Sequence, residues 1–407
     1  MNSKFLQWLI LILLVVILLA GFTWANVNFA RISSGGTDFL VHWIGARALL
    51  RGETPYGDET ALEIQKITYG RPALPGEHEL RVAYPIYSAL VFSPFALISD
   101  YVLARSLWMT FLEIALVGTF LLSLNVVEWR PGRVLLPILL LFSLLWYHAA
   151  RPLINGNAVA VVALLFTATV WAIKNKRDEL AGLFLALATL KPHLALLPVI
   201  WSLMWMIPQK RWRFTGWFFG SLVVMVLAGM ILVPDWLLQN LREILRYTSY
   251  NPPTTIGTAL ETWFPGFGQP AGWLVSLLLG GLLLWEWKKA LRAGFPGFLW
   301  AFALTLTVSQ WIGITTDPGN FVILTLPLVM VLKPLYEMRQ GPLITGITLG
   351  FLFVGLWALF LLTLPPGGNQ QNPIMFFPLP LFLFIGLYIF GRKALPASPS
   401  GSDTMEH

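Results

Sequence analysis

The chain has 407 residues, of which 57% are hydrophobic and only 12% charged, with a mean hydropathy of +0.70. No soluble domain of this length hides that much apolar surface, so the composition excludes a soluble globular protein and points to an all-α polytopic membrane protein. There is no cysteine, which excludes disulfides and thiolate metal sites, and the formal charge of +7 lies in short clusters between apolar runs rather than on a nucleic-acid-binding face.

Taking runs of roughly 20 apolar residues as spans, about twelve crossings are expected. They lie near 5–24, 101–124, 134–150, 156–173, 179–190, 193–207, 214–233, 271–287, 296–313, 320–333, 341–364 and 373–391. The first run has Lys4 near its start and no small-residue cleavage site, so it reads as a retained helix rather than a signal peptide. Between the runs lie Arg130/Arg133, Lys174/Lys176/Arg177, Lys210/Arg211/Arg213, Lys288/Lys289/Arg292, Lys333/Arg339 and Arg392/Lys393. All of these clusters fall on the cytoplasmic side only if Val82–Ser99 does not cross, and Pro85 and Pro94 favour a shallow or broken helix there. Both termini are then inside.

The expected organisation is a first transmembrane module over 1–233 with an outer loop at 26–99. A second outer loop follows at 234–270, then C-terminal helices at 271–393 and a disordered tail at 394–407. Both outer loops are short and rich in Pro, Gly and aromatic residues. They suit amphipathic helices lying on the membrane surface rather than separate soluble domains.

Two places in this plan carry chemistry. Asp38 follows the first span closely, and a carboxylate held against the bilayer is a functional candidate; the alternative is an N-cap of the helix over Phe39–Leu50. Lys191 and His193 sit at the tip of a hairpin, because Leu180–Leu190 spans only about 16 Å and Pro192 then interrupts it. A buried ammonium there needs an anionic partner, such as a lipid phosphate, whereas the bland reading is snorkelling to the interface. Other polar groups expected at the same outer level are His148, Arg151, Asn155 and Asn157, with Arg105 early in the second crossing and Glu113 two turns deeper. An Arg105–Glu113 link is conceivable, although a spacing of eight exceeds the usual one-turn pair. Glu261 lies in the second outer loop. Asp317 falls in Thr315-Thr316-Asp317-Pro318-Gly319-Asn320, where a turn is the simpler reading. His42, one turn beyond Asp38, makes a pair too small to argue for a metal, and no metal or cofactor is expected.

The run from Asp38 to Tyr56 (Asp38-Phe39-Leu40-Val41-His42-Trp43 through Arg51-Gly52-Glu53-Thr54-Pro55-Tyr56) resembles the opening signature of glycosyltransferase family 87, of the GT-C superfamily. Tyr84-Pro85-Ile86-Tyr87, Asn155-Gly156-Asn157, Ala181-Gly182-Leu183 and Leu190-Lys191-Pro192-His193 resemble its later motifs in order. A His-containing motif associated with the C-terminal region of mannosyltransferase members is absent, and Ser309–Asp317 stands there instead.

The resemblance implies a GT-C fold, with residues 1–233 as the catalytic module, and a polyprenyl-phosphate sugar as donor. The acidic residue that follows the first span is then catalytic, which maps onto Asp38. A base is needed because the acceptor hydroxyl loses a proton as it attacks the anomeric carbon. Cations are needed because the departing lipid phosphate gains charge. Lys191 is the first candidate for that role, with His193, Arg105 and Arg151 beside it. His42, Tyr84, Asn155, Asn157, Glu261 and Asp317 are candidate substrate contacts.

The expected activity is inverting transfer of a mannose-like sugar to a hydroxyl of a glycolipid or glycan. It would occur in the cell membrane, on the periplasmic or exterior face. The rival reading is a secondary transporter or flippase for a lipid-linked or anionic substrate, since a broken helix with a mid-membrane lysine also serves transport. A non-catalytic partner in glycan assembly is the third reading.

Overall fold

The computed structural model describes residues 3–33, 35–251, 254–312, 316–365 and 371–395. These residues hold helices and connections and no strand. The tail expected to be disordered lies, from residue 396 on, outside them.

In chain order, α1 (Ser3–Ile32), α2 (Thr37–Leu50), α3 (Asp58–Tyr69), α4 (Ala89–Ala96) and α5 (Tyr101–Val126) come first. Next are α6 (Leu135–Leu145), α7 (Tyr147–Asn155), α8 (Val159–Lys174), α9 (Asp178–Ala188) and α10 (Pro192–Met206). Then follow α11 (Trp212–Leu232), α12 (Trp236–Tyr250), α13 (Ile256–Glu261), α14 (Gly268–Ala290) and α15 (Phe295–Val308). The last are α16 (Thr325–Tyr336), α17 (Gly341–Gly350), α18 (Leu356–Thr363) and α19 (Pro378–Phe390). A 3-10 segment at Pro318–Leu324 leads into α16, and a π turn at Phe351–Gly355 joins α17 to α18.

Seven stretches among the described residues are long and apolar enough to cross a membrane, or eight if the bent pair α6–α7 is one span. The chain is therefore a multi-span helical membrane protein. The remaining apolar helices, at Ile86–Ala96, Val159–Lys174, Pro192–Met206 and Phe295–Val308, are shorter. Within 82–99 only Ile86–Ala96 is helical, a 3-10 turn leading into a short α-helix that, at 1.5 Å per residue, reaches only about 16 Å. Helix α1 runs past the expected end of its span, to Ile32, because no breaker occurs before Ser33.

The chain divides into two compact units. One comprises Met1–Ala115, Arg151–Ala158 and Leu227–Asn251; the other comprises Leu116–Ala150, Val159–Val226 and Pro252–His407.

In the first unit, polar groups hold apolar helices in register. Asn26 Nδ2 on α1 donates to Thr110 Oγ1 and to Glu113 Oε2 on α5, both at 3.2 Å. Glu113 therefore belongs with Asn26 and not with Arg105, which stands about 12 Å along the helix from it. Helix α12 turns its polar side inward. Asn240 Nδ2 donates to the Ala83 and Tyr84 carbonyls, and the buried Glu243 takes a 2.6 Å bond from Arg81 Nε. Its leucine side, with Leu238, Leu241 and Leu245, is exposed.

In the second unit, α9 packs closely on α11. A Cβ at Gly182 would stand 2.5 Å from the Phe214 carbonyl oxygen. That close approach gives the Ala181-Gly182-Leu183 motif its physical reason. Elsewhere in this unit the core is aromatic, with Trp201 stacked on Trp287 at 5.6 Å and on Phe298 at 6.1 Å.

Candidate active site

The first cluster is built at the start of α2. Gly36 precedes the helix at φ +92, and a Cβ there would lie 2.4 Å from Arg105 Nε, so only glycine fits. Gly36 occupies the capping position and no side chain caps it, so Asp38 is not the N-cap. Its carboxylate stands instead in the first turn, where the helix dipole favours negative charge. Asn157 Nδ2 donates to Asp38 Oδ2 at 2.9 Å.

Asn157 is delivered there by the turn that ends α7. Gly156 adopts φ +71, a Cβ on it would sit 2.5 Å from Phe39 Cβ, and its carbonyl accepts a 2.8 Å bond from Trp108 Nε1. Phe39 stacks on Trp108 at 5.7 Å and on Tyr101 at 6.0 Å, while the Tyr101 hydroxyl donates to the Gly36 carbonyl at 3.0 Å. Asp38 thus rises from a buried aromatic platform.

Arg105, almost fully buried, serves the same platform. Its guanidinium donates to the Ser33 carbonyl at 2.8 Å and the Ile154 carbonyl at 3.1 Å. His42 is buried with its ring 4.0 Å from that of Tyr84 and 4.6 Å from that of Phe92. Burial first, and then the Asp38 carboxylate, hold the Tyr84 phenol well above its ordinary value, so it stays protonated. Arg151 is half-buried on α7, and Asn155 ends that helix.

The second cluster is in the other unit. Lys191 lies between α9 and α10 and is 3% exposed, and its Nζ donates to Asn320 Oδ1 at 2.8 Å. Asn320 is carried by the 3-10 segment, whose Pro318 carbonyl accepts a 2.8 Å bond from His148 Nδ1. That bond fixes the proton on Nδ1 of the fully buried imidazole. His193 is half-buried in the first turn of α10.

The two remaining candidates act locally. Asp317 caps the 3-10 segment and accepts from Gln371 Nε2 at 3.1 Å. Glu261 accepts from the backbone N–H groups of Gly266 and Gln269, which hold its carboxyl below the usual range. Both suit turn-building. Among the described residues, no group of three or more His, Asp or Glu side chains gathers to hold a metal ion.

Sequence reasoning missed Asn320, Tyr101 and Trp108. Asn320 was visible only as the end of a turn, and the two aromatics are indistinguishable in sequence from lipid-facing residues. Gly156 was visible as part of a motif, but its link to Asp38 was not.

No curated protein and no solved structure matches the chain. The signature of glycosyltransferase family 87 matches residues 83–309, more than half of the chain. The match takes in Tyr84, Arg105, Arg151, Asn155, Asn157, Lys191, His193 and Glu261, and begins after Asp38 and His42. On this match, the chain belongs to glycosyltransferase family 87.

Proposed function

We propose that this glycosyltransferase moves a mannose-like sugar from a polyprenyl-phosphate donor to a hydroxyl of a glycolipid or glycan, with inversion at the anomeric carbon. The observation that carries the reading is Asp38. It is a half-buried carboxylate directly after the first span, oriented by the Asn157 amide beside the neutral Tyr84 phenol. In the proposed step Asp38 accepts the acceptor hydroxyl proton as the oxygen bonds to the anomeric carbon and the donor phosphate departs.

Lys191 is the proposed phosphate ligand. Its nearly inaccessible ammonium, which donates to the Asn320 amide oxygen, supplies a fixed positive charge for an anion that gains charge as it leaves. His193 and Arg151 are the supporting donors. Arg105 is assigned here to fixing the backbone on either side of Asp38, because its Nη1 and Nη2 groups donate to the Ser33 and Ile154 carbonyl oxygens.

The GT-C architecture of about twelve crossings, the catalytic module over 1–233 and an outer-facing site are part of the same proposal. The crossings beyond the seven long ones are assigned to the bent pair α6–α7 and to α8, α9, α10 and α15. Helix α12, with its leucine side out and polar side in, suits a helix lying in the membrane interface.

The purified protein in liposomes, given a polyprenyl-phosphate sugar and a glycolipid acceptor, should form a glycosidic product. Uptake of substrate without product would favour the transporter reading instead.

A further inference from the structure

A cavity of about 750 Å³ opens between α6 and α17, entirely within the second unit. Leu135, Ile138, Leu141 and Phe142 form one wall, and Leu349 and Phe353 the other. A Cβ added at Gly346 or Gly350 would meet nothing within 4 Å, so these two glycines leave that wall open. At the Leu145 end, Trp357 Nε1 donates to the Leu145 carbonyl at 2.9 Å. At the other end stand Arg133 and Tyr336, the only lining residues with polar side chains. Arg133 is exposed and makes no hydrogen bond or ion pair among the described residues.

A slot of this kind, lined by hydrocarbon in a chain of membrane spans, has almost no groups to hold water and would otherwise go unfilled. Its volume falls within the roughly 300–1,000 Å³ of ordinary ligand pockets. An arginine at the mouth without a protein counter-ion selects a negative headgroup. We propose that the groove between α6 and α17 binds an anionic phospholipid, its acyl chains along the leucine wall and its phosphate on Arg133. The occupant is not the sugar donor. Arg133 precedes α6, which rises about 15 Å from Leu135 to Leu145, and it is past Leu145 that His148 joins the Pro318 turn, whose Asn320 binds Lys191. The anionic-lipid site stands whether or not the proposed reaction does; the exclusion of the donor rests on the proposed role of Lys191.

The test is native mass spectrometry of the full chain in detergent with equal amounts of dioleoyl-phosphatidylglycerol and dioleoyl-phosphatidylcholine. The parent should retain one phosphatidylglycerol with about a fivefold preference, the scale of one basic residue. Arg133→Gln should retain the two lipids equally, and Gly350→Phe should retain neither. Gly346→Leu fills the same slot and serves if Gly350→Phe fails to fold. An unchanged preference in Arg133→Gln, or a lipid retained by the folded filled variants, would overturn the site. Displacement of phosphatidylglycerol by equimolar polyprenyl phosphate would overturn the choice of occupant.

Discussion

Asn157 and Asp38 are 119 residues apart in the chain, yet the Asn157 amide donates to Asp38 Oδ2 at 2.9 Å. The bond depends on a glycine between two asparagines, because Gly156 at φ +71 turns the chain and lets it lie against Phe39. Asn157→Ala should lower kcat by roughly 10- to 100-fold, the scale of a displaced catalytic group, with little change in donor KM. Gly156→Ala should do at least as much harm, since it adds backbone strain and a clash with Phe39. A steady-state rate for Asn157→Ala equal to the parent's would show that the contact does not position Asp38.

Lys191→Met keeps most of the apolar stem and removes the charge. If Lys191 binds the donor phosphate, turnover at subsaturating donor should fall by about 10- to 100-fold, the worth of one charge-assisted bond. Asn320→Asp should also weaken donor binding while keeping the fold, because a carboxylate would neutralise the ammonium. Parent-like rates for Lys191→Met would remove it from the mechanism.

Much of this was legible in the sequence, for physical reasons. Hydrocarbon cannot be hidden in a 407-residue chain without a bilayer, so the helical membrane class followed from composition. The Lys191 hairpin followed from an apolar run too short to cross and a proline after it. What could not be read were pairings across long separations. Nothing in local spacing joins Asn320 to Lys191, Glu243 to Arg81 or Glu113 to Asn26, since each pair is brought together by tertiary packing. The end of α1 was misjudged because polar residues such as Asn26 and Asn28 leave the span without breaking the helix. Asp38 was weighed as a cap because aspartate commonly is one, whereas Gly36 already held that position.

The proposed first outer loop should show a histidine-linked pH dependence. His78 Nδ1 accepts a 3.0 Å bond from the Leu80 N–H, which requires the neutral ring, and burial lowers its pKa below the ordinary 6.5. Below that value the unfolded imidazole takes a proton that the folded one resists. Its contribution is therefore complete above 6.5 and is lost progressively as pH falls toward the lowered folded value. His78→Asn keeps an acceptor for Leu80 and cannot titrate, so its melting temperature should change less between about pH 7.5 and about pH 5. An equal slope in both proteins would contradict this.

Orientation can be read chemically, because the chain has no cysteine to interfere. Lys66 and Ser249, both exposed, lie in the two proposed outer loops, and the exposed Asn175 lies in a proposed cytoplasmic connection. Single cysteines at Lys66 and Ser249 should react with an impermeant maleimide in intact cells, and one at Asn175 should not. The reverse pattern would invert the topology.

The most direct measurement is sugar transfer by Asp38→Asn in liposomes, beside its binding of the polyprenyl-phosphate donor. The substitution is nearly isosteric, and loss of the first-turn charge should cost only about 0.3–1 kcal/mol of helix stability. An amide cannot accept the hydroxyl proton, so transfer should fall by about 100- to 10,000-fold. Donor binding should stay close to the parent's. A folded Asp38→Asn protein that transfers sugar within a few-fold of the parent rate would contradict Asp38 as the base.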